Sequence, residues 1–209
     1  MLESGFIELK LDCPKTKSLA VDDVVLSDDF TAGRGRRRAV LVVRRAVCFR
    51  AHRAVLAARS PVFKAQLRGS MADDAKMPCI TLHDIQPATF RILLWFMYTD
   101  ELPGDEEELR SSSTMELWQN LLAAAGMYRL DRLKLMCAQK LWEHVSTDTV
   151  ATILCCAEMQ NSPELKNRCL DFFVVEKNFK KAVLTEGYLQ LLQISPAIIN
   201  EIRAQVIDT

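Results

Sequence analysis

The sequence is short of most of what a catalytic or membrane-inserted protein needs. Only three histidines occur (His52, His83 and His144), and the seven cysteines, at 13, 48, 79, 137, 155, 156 and 169, form no C-x-x-C pair. An odd, scattered set of thiols argues against a disulfide framework or a zinc site, and reads as small buried hydrophobes of a reducing compartment. Neither charge is in excess: Lys plus Arg and Asp plus Glu each number 27. No overall field therefore draws the chain to nucleic acid or to a membrane. No apolar run approaches the length that crosses a bilayer, and the acidic start is not that of a signal peptide. The chain reads as soluble, with the nucleus or cytoplasm as its compartment. No phosphate-cradling glycine loop, no H-E-x-x-H and no G-x-S-x-G is found. No cofactor, no metal and no catalytic residue is expected, and the chain reads as other than an enzyme.

What is present is enough apolar residue, 49% of 209, to bury a substantial core in one ordinary domain plus a smaller one. The densest pattern is Phe49 to Phe63, FRAHRAVLAARSPVF. Ala51, Val55, Ala58 and Val62 fall at helical spacings and predict one buried stripe, with Arg50, Arg53 and Arg59 off it. Ser60-Pro61 ends this helix and starts a second, as N-cap and first helical residue; Phe63 and Leu67 continue the apolar face. His52 on that helix is within sequence reach of Cys48, a base and a nucleophile. Nothing marks an oxyanion hole, so a structural histidine at the helix start is the better reading.

Before this stretch, Val40–Val43 and Ala46–Phe49 read as strands. A two-residue Arg44-Arg45 turn between them would be strained, because such turns demand φ > 0. Arg34–Arg38 is a basic cluster, either a nuclear-targeting or phosphate-binding patch or a solvated turn. Residues 1–33 carry alternating Ile7, Leu9 and Leu11 and read as a loosely attached strand or a disordered tail. After Leu67, a polar segment holds Met71, Asp73 and Asp74; the two acids suit a binding edge better than an acid–base pair. Cys79–His83 alternates as a strand. Pro87 opens a helix whose core stripe is Phe90, Leu93, Leu94 and Met97. The acidic run from Asp100 to Ser113 is a solvated loop. Helices follow at Met115–Met127 (Leu117, Leu121, Ala124) and over Leu133, Met136, Cys137, Leu141 and Val145. From Ser146 the pattern is short helices, with start signals at Ser162-Pro163 and Ser195-Pro196. Their stripes are Val150, Ile153, Leu154, Ala157; then Leu165, Cys169, Phe172; then Ile198, Ile199, Ile202, Val206.

The run FRAHRAVLAARSPVF resembles the core of a BTB/POZ domain, and YRLDRLKLMC at 128–137 and LTEGYLQLL at 184–192 extend the resemblance to plant MATH–BTB proteins of the speckle-type POZ class. The implied fold class is α+β: a BTB/POZ fold at 37–145, a small sheet flanked by helical hairpins, then an all-α BACK-like tail at 146–209. Residues 1–33 would be a remnant of a MATH domain or disordered. The implied role is a substrate adaptor for a cullin-3 RING ubiquitin ligase, impaired in recruiting substrate because no complete MATH domain is present. Partners would be a cullin-3-type scaffold and a BTB homodimer or a heterodimer with full-length relatives, with neither nucleic acid nor membrane involved. A self-association scaffold or transcription-regulatory module without cullin is the competing class.

By the resemblance, Phe63, Met71, Asp73, Tyr128 and Leu130 would meet cullin, Met71-Ala72-Asp73 standing where the family has hydrophobic-x-Glu. A core role suits Tyr128 and Leu130 equally. Arg53, Val55 and Leu56 would line the dimer interface. Departures cluster upstream of residue 47. The segment Val24–Gly33 lacks the apolar stripe of the family's dimer helix. Ala39 stands where the family tends to have an Asp near the basic residue matched by Arg53, so Arg53 should turn to solvent or find another acceptor.

Overall fold

The computed structural model describes residues 5–12, 47–69, 79–103 and 114–207. It is α+β: three strands and a succession of helices. Strand β1 (Phe6–Asp12) lies in the middle of the sheet, with β2 (Val47–His52) antiparallel on one side and β3 (Cys79–His83) parallel on the other. The register sets Ile7 opposite Ala51 and Leu11 opposite Val47, while Leu9 and Leu11 lie beside Ile80 and Leu82.

For Phe6–Asp12, though not for the rest of residues 1–33, which lies outside the described residues, this corrects the reading of a loosely attached strand. The alternation in Phe6-Ile7-Glu8-Leu9-Lys10-Leu11 fits a strand with one face buried, and Ile7, Leu9 and Leu11 are all inside the core. The predicted partner of β2, residues 40–43, lies outside the described residues, as do the Arg44-Arg45 turn, the basic cluster at 34–38, residues 24–33 and Ala39. Joining β1 to β2 through residues 13–46 costs about 2 kcal/mol more loop-closure entropy than a tight turn. Three buried aliphatic side chains, each contributing about 1.5–3 kcal/mol, outweigh that difference.

The helical stripe predicted from Ala51 to Val62 is also corrected. Strand β2 runs on to His52, so Ala51 is buried as a strand residue, and helix α1 (Arg53–Arg59) starts after it. Within α1 the buried residue is Leu56, which puts Val55 at the margin and Ala58 outside. Periodicity counted across a strand–helix junction selects the wrong face. Helix α2 (Pro61–Gly69) turns back against α1 and buries Phe63 and Leu67. Helix α3 (Pro87–Thr99) covers the sheet, its Phe90 edge-on to Phe49 at 5.2 Å. Phe90, Leu93 and Met97 are buried and Leu94 half-buried, as its pattern predicts.

Helices α4 (Thr114–Met127) and α5 (Asp131–Glu143) form an antiparallel hairpin, α4 resting on α3. The tail follows as α6 (Val150–Met159), α7 (Pro163–Val174), α8 (Glu176–Ala182), α9 (Glu186–Ile194) and α10 (Pro196–Ile207). The predicted stripe Val150, Ile153, Leu154 and Ala157 is fully buried; on α7 it is Phe173 rather than Phe172 that goes inside. Ser162 precedes α7 as predicted, but its side chain makes no capping bond. The described tail cap is Thr185, whose Oγ1 accepts the Tyr188 N–H. Gly187 lets α9 meet α6 closely, since a Cβ there would lie 2.4 Å from Thr152 Oγ1. Trp142 joins the tail to the first part of the chain, edge-on to Phe172 and under the Arg168 guanidinium at 4.1 Å.

The described cysteines are all free. Burial pushes the Cys156 thiol up to about 11 and Cys169 to about 12, and raises Cys137 further still, with Cys156 adding to that rise. These thiols therefore stay protonated in the folded chain where the unfolded chain's ionise, so stability falls as pH climbs past their ordinary value of 9.0. Because the thiolate is the reacting form, alkylation of the native chain at pH 8 should modify exposed Cys48 quickly. Cys137, Cys156 and Cys169 should react only after denaturation. Peptide mass mapping reads the result, and fast native labelling of those three would contradict the packing.

Candidate protein-docking face

The joint between α1 and α2 is built on Ser60, a fully buried polar residue. Its backbone is extended, which ends α1, and its N–H donates to the Leu56 carbonyl at 3.0 Å. Its hydroxyl donates to the carbonyl oxygen of Tyr128 at 2.7 Å and accepts the Phe63 N–H at 3.3 Å. Phe63 and Tyr128 then stack face to face, 4.7 Å between centroids and 6° from parallel. Burial raises the Tyr128 phenol above its usual range. The turn between α4 and α5 closes with Arg129 at φ 53° and the Leu130 N–H on the Ala125 carbonyl at 2.9 Å.

The family resemblance directs Phe63, Tyr128 and Leu130 toward a partner, but all three are buried, as is Leu56. Phe63 and Tyr128 stack between the two helical hairpins, and the burial of Tyr128 and Leu130 matches the core role that the sequence left open for them. Arg53 and Val55 are half-buried on α1, and the Arg53 N–H donates to the Gly5 carbonyl at 2.9 Å. Met71 and Asp73 lie outside the described residues.

Around this packed joint runs a charged rim. Asp100 ends α3 in the left-handed region, φ 65°, where its N–H caps the Phe96 carbonyl. Its carboxylate accepts Arg59 Nη2 at 2.5 Å and pairs with Arg132 from α5. Arg59 also donates Nε–H to the Met97 carbonyl at 3.1 Å. Three helices are thus pinned by one carboxylate, although each group is at least a third exposed and contributes modestly.

His52 is not the helical base considered for Cys48. It closes β2, and its N–H and Nδ1 both meet the Tyr98 hydroxyl at 2.8 Å while its ring packs 4.1 Å from Phe6. Four strand steps separate it from Cys48, roughly 13 Å. Among the described residues no cluster of three His, Cys, Asp or Glu side chains is placed to hold a metal, and no helix is long and apolar enough to cross a membrane.

The exposed apolar side chains near the joint are Met127 at the end of α4, Leu135 on α5 and Met159 at the end of α6. These helices approach one another there: Lys134 Nζ donates to the Asn161 carbonyl at 2.9 Å, and a Cβ on Gly126 would be 3.8 Å from Gln160 Oε1. Sequence reading placed these residues in helices but passed over them. Their offset from the core stripes, on polar faces, was the available signal. Ser60 gave none, because a serine before proline reads as an N-cap.

The profile of the BTB/POZ domain matches residues 38–145, and that of the BPM/SPOP BACK domain matches residues 149–203. The chain is similar to BTB/POZ and MATH domain-containing protein 3 of Arabidopsis thaliana, 39% identical over 74% of this chain and 38% of that protein. It resembles TD and POZ domain-containing protein 4 of Mus musculus at 34% identity, over 73% of the chain and 39% of the relative. BTB/POZ and MATH domain-containing protein 6 of Arabidopsis aligns with 95% of the chain at 31% identity, covering 49% of its own length. The chain thus spans less than half the length of these relatives. Among solved structures, the BTB domain of zebrafish PATZ1 aligns over 47% of the chain and 70% of its own, with 25% identity and a TM-score of 0.36.

Replacing Ser60 with Ala leaves the buried Tyr128 carbonyl without its donor, which should cost about 1–3 kcal/mol. Asp100→Asn, touching only part-exposed ion pairs, should cost less than about 1 kcal/mol. Chemical denaturation reads both, and the reverse order would show that the charged rim rather than the serine holds the hairpins.

Proposed function

This chain belongs to the BTB/POZ domain family, and we propose that it is an adaptor-type subunit of a cullin-3 RING ubiquitin ligase. It acts by docking and is not itself a catalyst. The observation that carries this reading is the surface at the α4–α5 hairpin, where Met127, Leu135 and Met159 stand out of a joint locked by Ser60, Phe63 and Tyr128. Exposed methionine and leucine on rigid helices suit a partner's apolar groove, because methionine adapts its shape and the scaffold beneath does not move. By the family resemblance, Met71 and Asp73, which lie outside the described residues, would add to the contact, with Asp73 one methylene shorter than the usual glutamate.

On this reading the BTB part and the BACK part form a continuous support for cullin. The Arg59–Asp100–Arg132 cluster gives that support a charged border. Partner pairing through α1 would use Arg53 and Val55, which reach the surface, rather than Leu56. Subunits would pair as a homodimer or as a heterodimer with full-length relatives. Its compartment is the nucleus or cytoplasm, where cullin ligases are assembled.

The test is binding of the full chain to the purified cullin-3 N-terminal domain by calorimetry. Wild type should bind in the micromolar range or tighter. Met71→Glu and Leu135→Glu should each weaken binding at least tenfold with unchanged melting. Absence of wild-type binding at tens of micromolar would overturn the adaptor reading in favour of a self-association scaffold, which light scattering would reveal as a dimer.

A further inference from the structure

Strand β2 is an outer strand of the sheet, with β1 on one side of it. In an antiparallel pair, successive residues turn their backbone groups alternately toward the neighbour and away from it. The bond from the Arg53 N–H to the Gly5 carbonyl fixes the phase. Ala51, Phe49 and Val47 therefore bond to β1, while His52, Arg50 and Cys48 present their N–H and C=O groups to the free edge. The His52 N–H agrees with this: its acceptor is the Tyr98 hydroxyl, which stands where a next strand's carbonyl would be. Among the described residues, no backbone or side-chain group meets that edge at Arg50 or Cys48.

Helix α3 runs beside the same edge. Phe90 meets Phe49 at one end and Tyr98 meets His52 at the other. Eight helical steps span about 12 Å, close to the roughly 10 Å of three strand steps. Arg91, Leu94 and Trp95 precede Tyr98 by seven, four and three residues and share its helix face. Arg91 and Trp95 are exposed and Leu94 is half-buried. The edge thus has an unpaired backbone on one side and an apolar helix face on the other. Glu8 faces Arg50 across the ladder, and the Arg50 guanidinium lies 5.5 Å from the Phe6 ring centroid. Arg50, Arg91 and Lys10, the last opposite Cys48, outnumber that one acid, so the edge is positive.

We propose that an extended, acidic and apolar segment of another protein docks here as a fourth strand, antiparallel to β2. This surface is separate from the one carried by α4, α5 and α6. The docked residue opposite Arg50 lies on the exposed face of the sheet with that guanidinium, which selects an acid. The next, opposite Phe49, turns toward α3 and Trp95, which selects an apolar side chain. The residue opposite Cys48 is free to vary, and the one opposite Val47 is apolar again. Main-chain bonds at Arg50 and Cys48 supply affinity and the alternate side chains supply selectivity. The Tyr98 hydroxyl holds the His52 N–H and stops the added strand at that end. A second copy of this chain would bring another Arg50 and Arg91 to the same edge, and like charges disfavour it.

The probe is the fluorescein-labelled peptide SVEVTVS, titrated with the full chain and followed by fluorescence anisotropy. Its Kd should be about 100 μM or tighter. N-methylation of the glutamate or the threonine, whose N–H groups face β2 in this register, should weaken binding at least tenfold. N-methylation of the valine between them, whose N–H faces away, should weaken it less than threefold. Arg50→Glu should weaken binding at least tenfold with unchanged melting, and the peptide SVKVTVS should recover affinity for that variant. Trp95→Ala should weaken both pairings. If Arg50→Glu melts early, the methylation series on the wild type decides alone. No wild-type binding at millimolar peptide, equal loss from all three methylations, or indifference of a folded Arg50→Glu to the charge swap would each overturn the proposal. So would a wild-type dimer in light scattering that Trp95→Ala abolishes, because the edge would then belong to a second copy.

Discussion

A three-stranded sheet cannot do without its middle strand, and here that strand comes from the far end of the chain. Ile7, Leu9 and Leu11 supply the floor of the sheet, and both outer strands hydrogen-bond through β1 rather than to each other. Helix α3 packs over this surface, α4 over α3, and the α1–α2 hairpin hangs from the end of β2. Remove β1 and both the register of β2 and the start of α1 lose their reference, because α1 begins where the Arg53 N–H meets the Gly5 carbonyl. The proposed docking face is therefore held, at one remove, by β1.

A second constraint operates where the two hairpins meet. Ser60 is buried because α1 must stop and α2 must begin in one residue, against the carbonyl that ends the α4–α5 turn. A hydroxyl there satisfies the Tyr128 carbonyl of that turn and the Phe63 N–H in the first turn of α2. The Phe63–Tyr128 stack fills the space beside it. The candidate surface is then a consequence of what is already used up inside: apolar side chains left over on α4, α5 and α6 are exposed, while their inner faces are filled by Leu121, Leu133, Leu141 and Ile153.

Much of this was legible in the sequence, and for a physical reason. Helices α3 to α7 and α10 carry apolar residues at the 3.6 period, and all of these but α6 open with a proline or an acid, so their existence and most of their buried faces follow from local pattern. The family was legible in FRAHRAVLAARSPVF and YRLDRLKLMC. Strand pairing was not, since Phe6–Asp12 alternates correctly but nothing local says that its partner begins at Val47. Nor did resemblance give direction: it left Tyr128 and Leu130 open between a partner and the core, and all of Phe63, Tyr128, Leu130 and Leu56 are buried. The packing that decides direction is between helices remote in sequence, such as the α2 and α4–α5 contact through Ser60.

The account rests on the amino-terminal segment being the central strand. Amide hydrogen exchange of the full chain, followed by mass spectrometry, measures this directly. Peptides covering residues 6–12 should exchange as slowly as those covering Cys79–His83, many times slower than an unstructured peptide of the same sequence. Exchange of residues 6–12 at the unstructured rate, with residues 79–83 still protected, would contradict it.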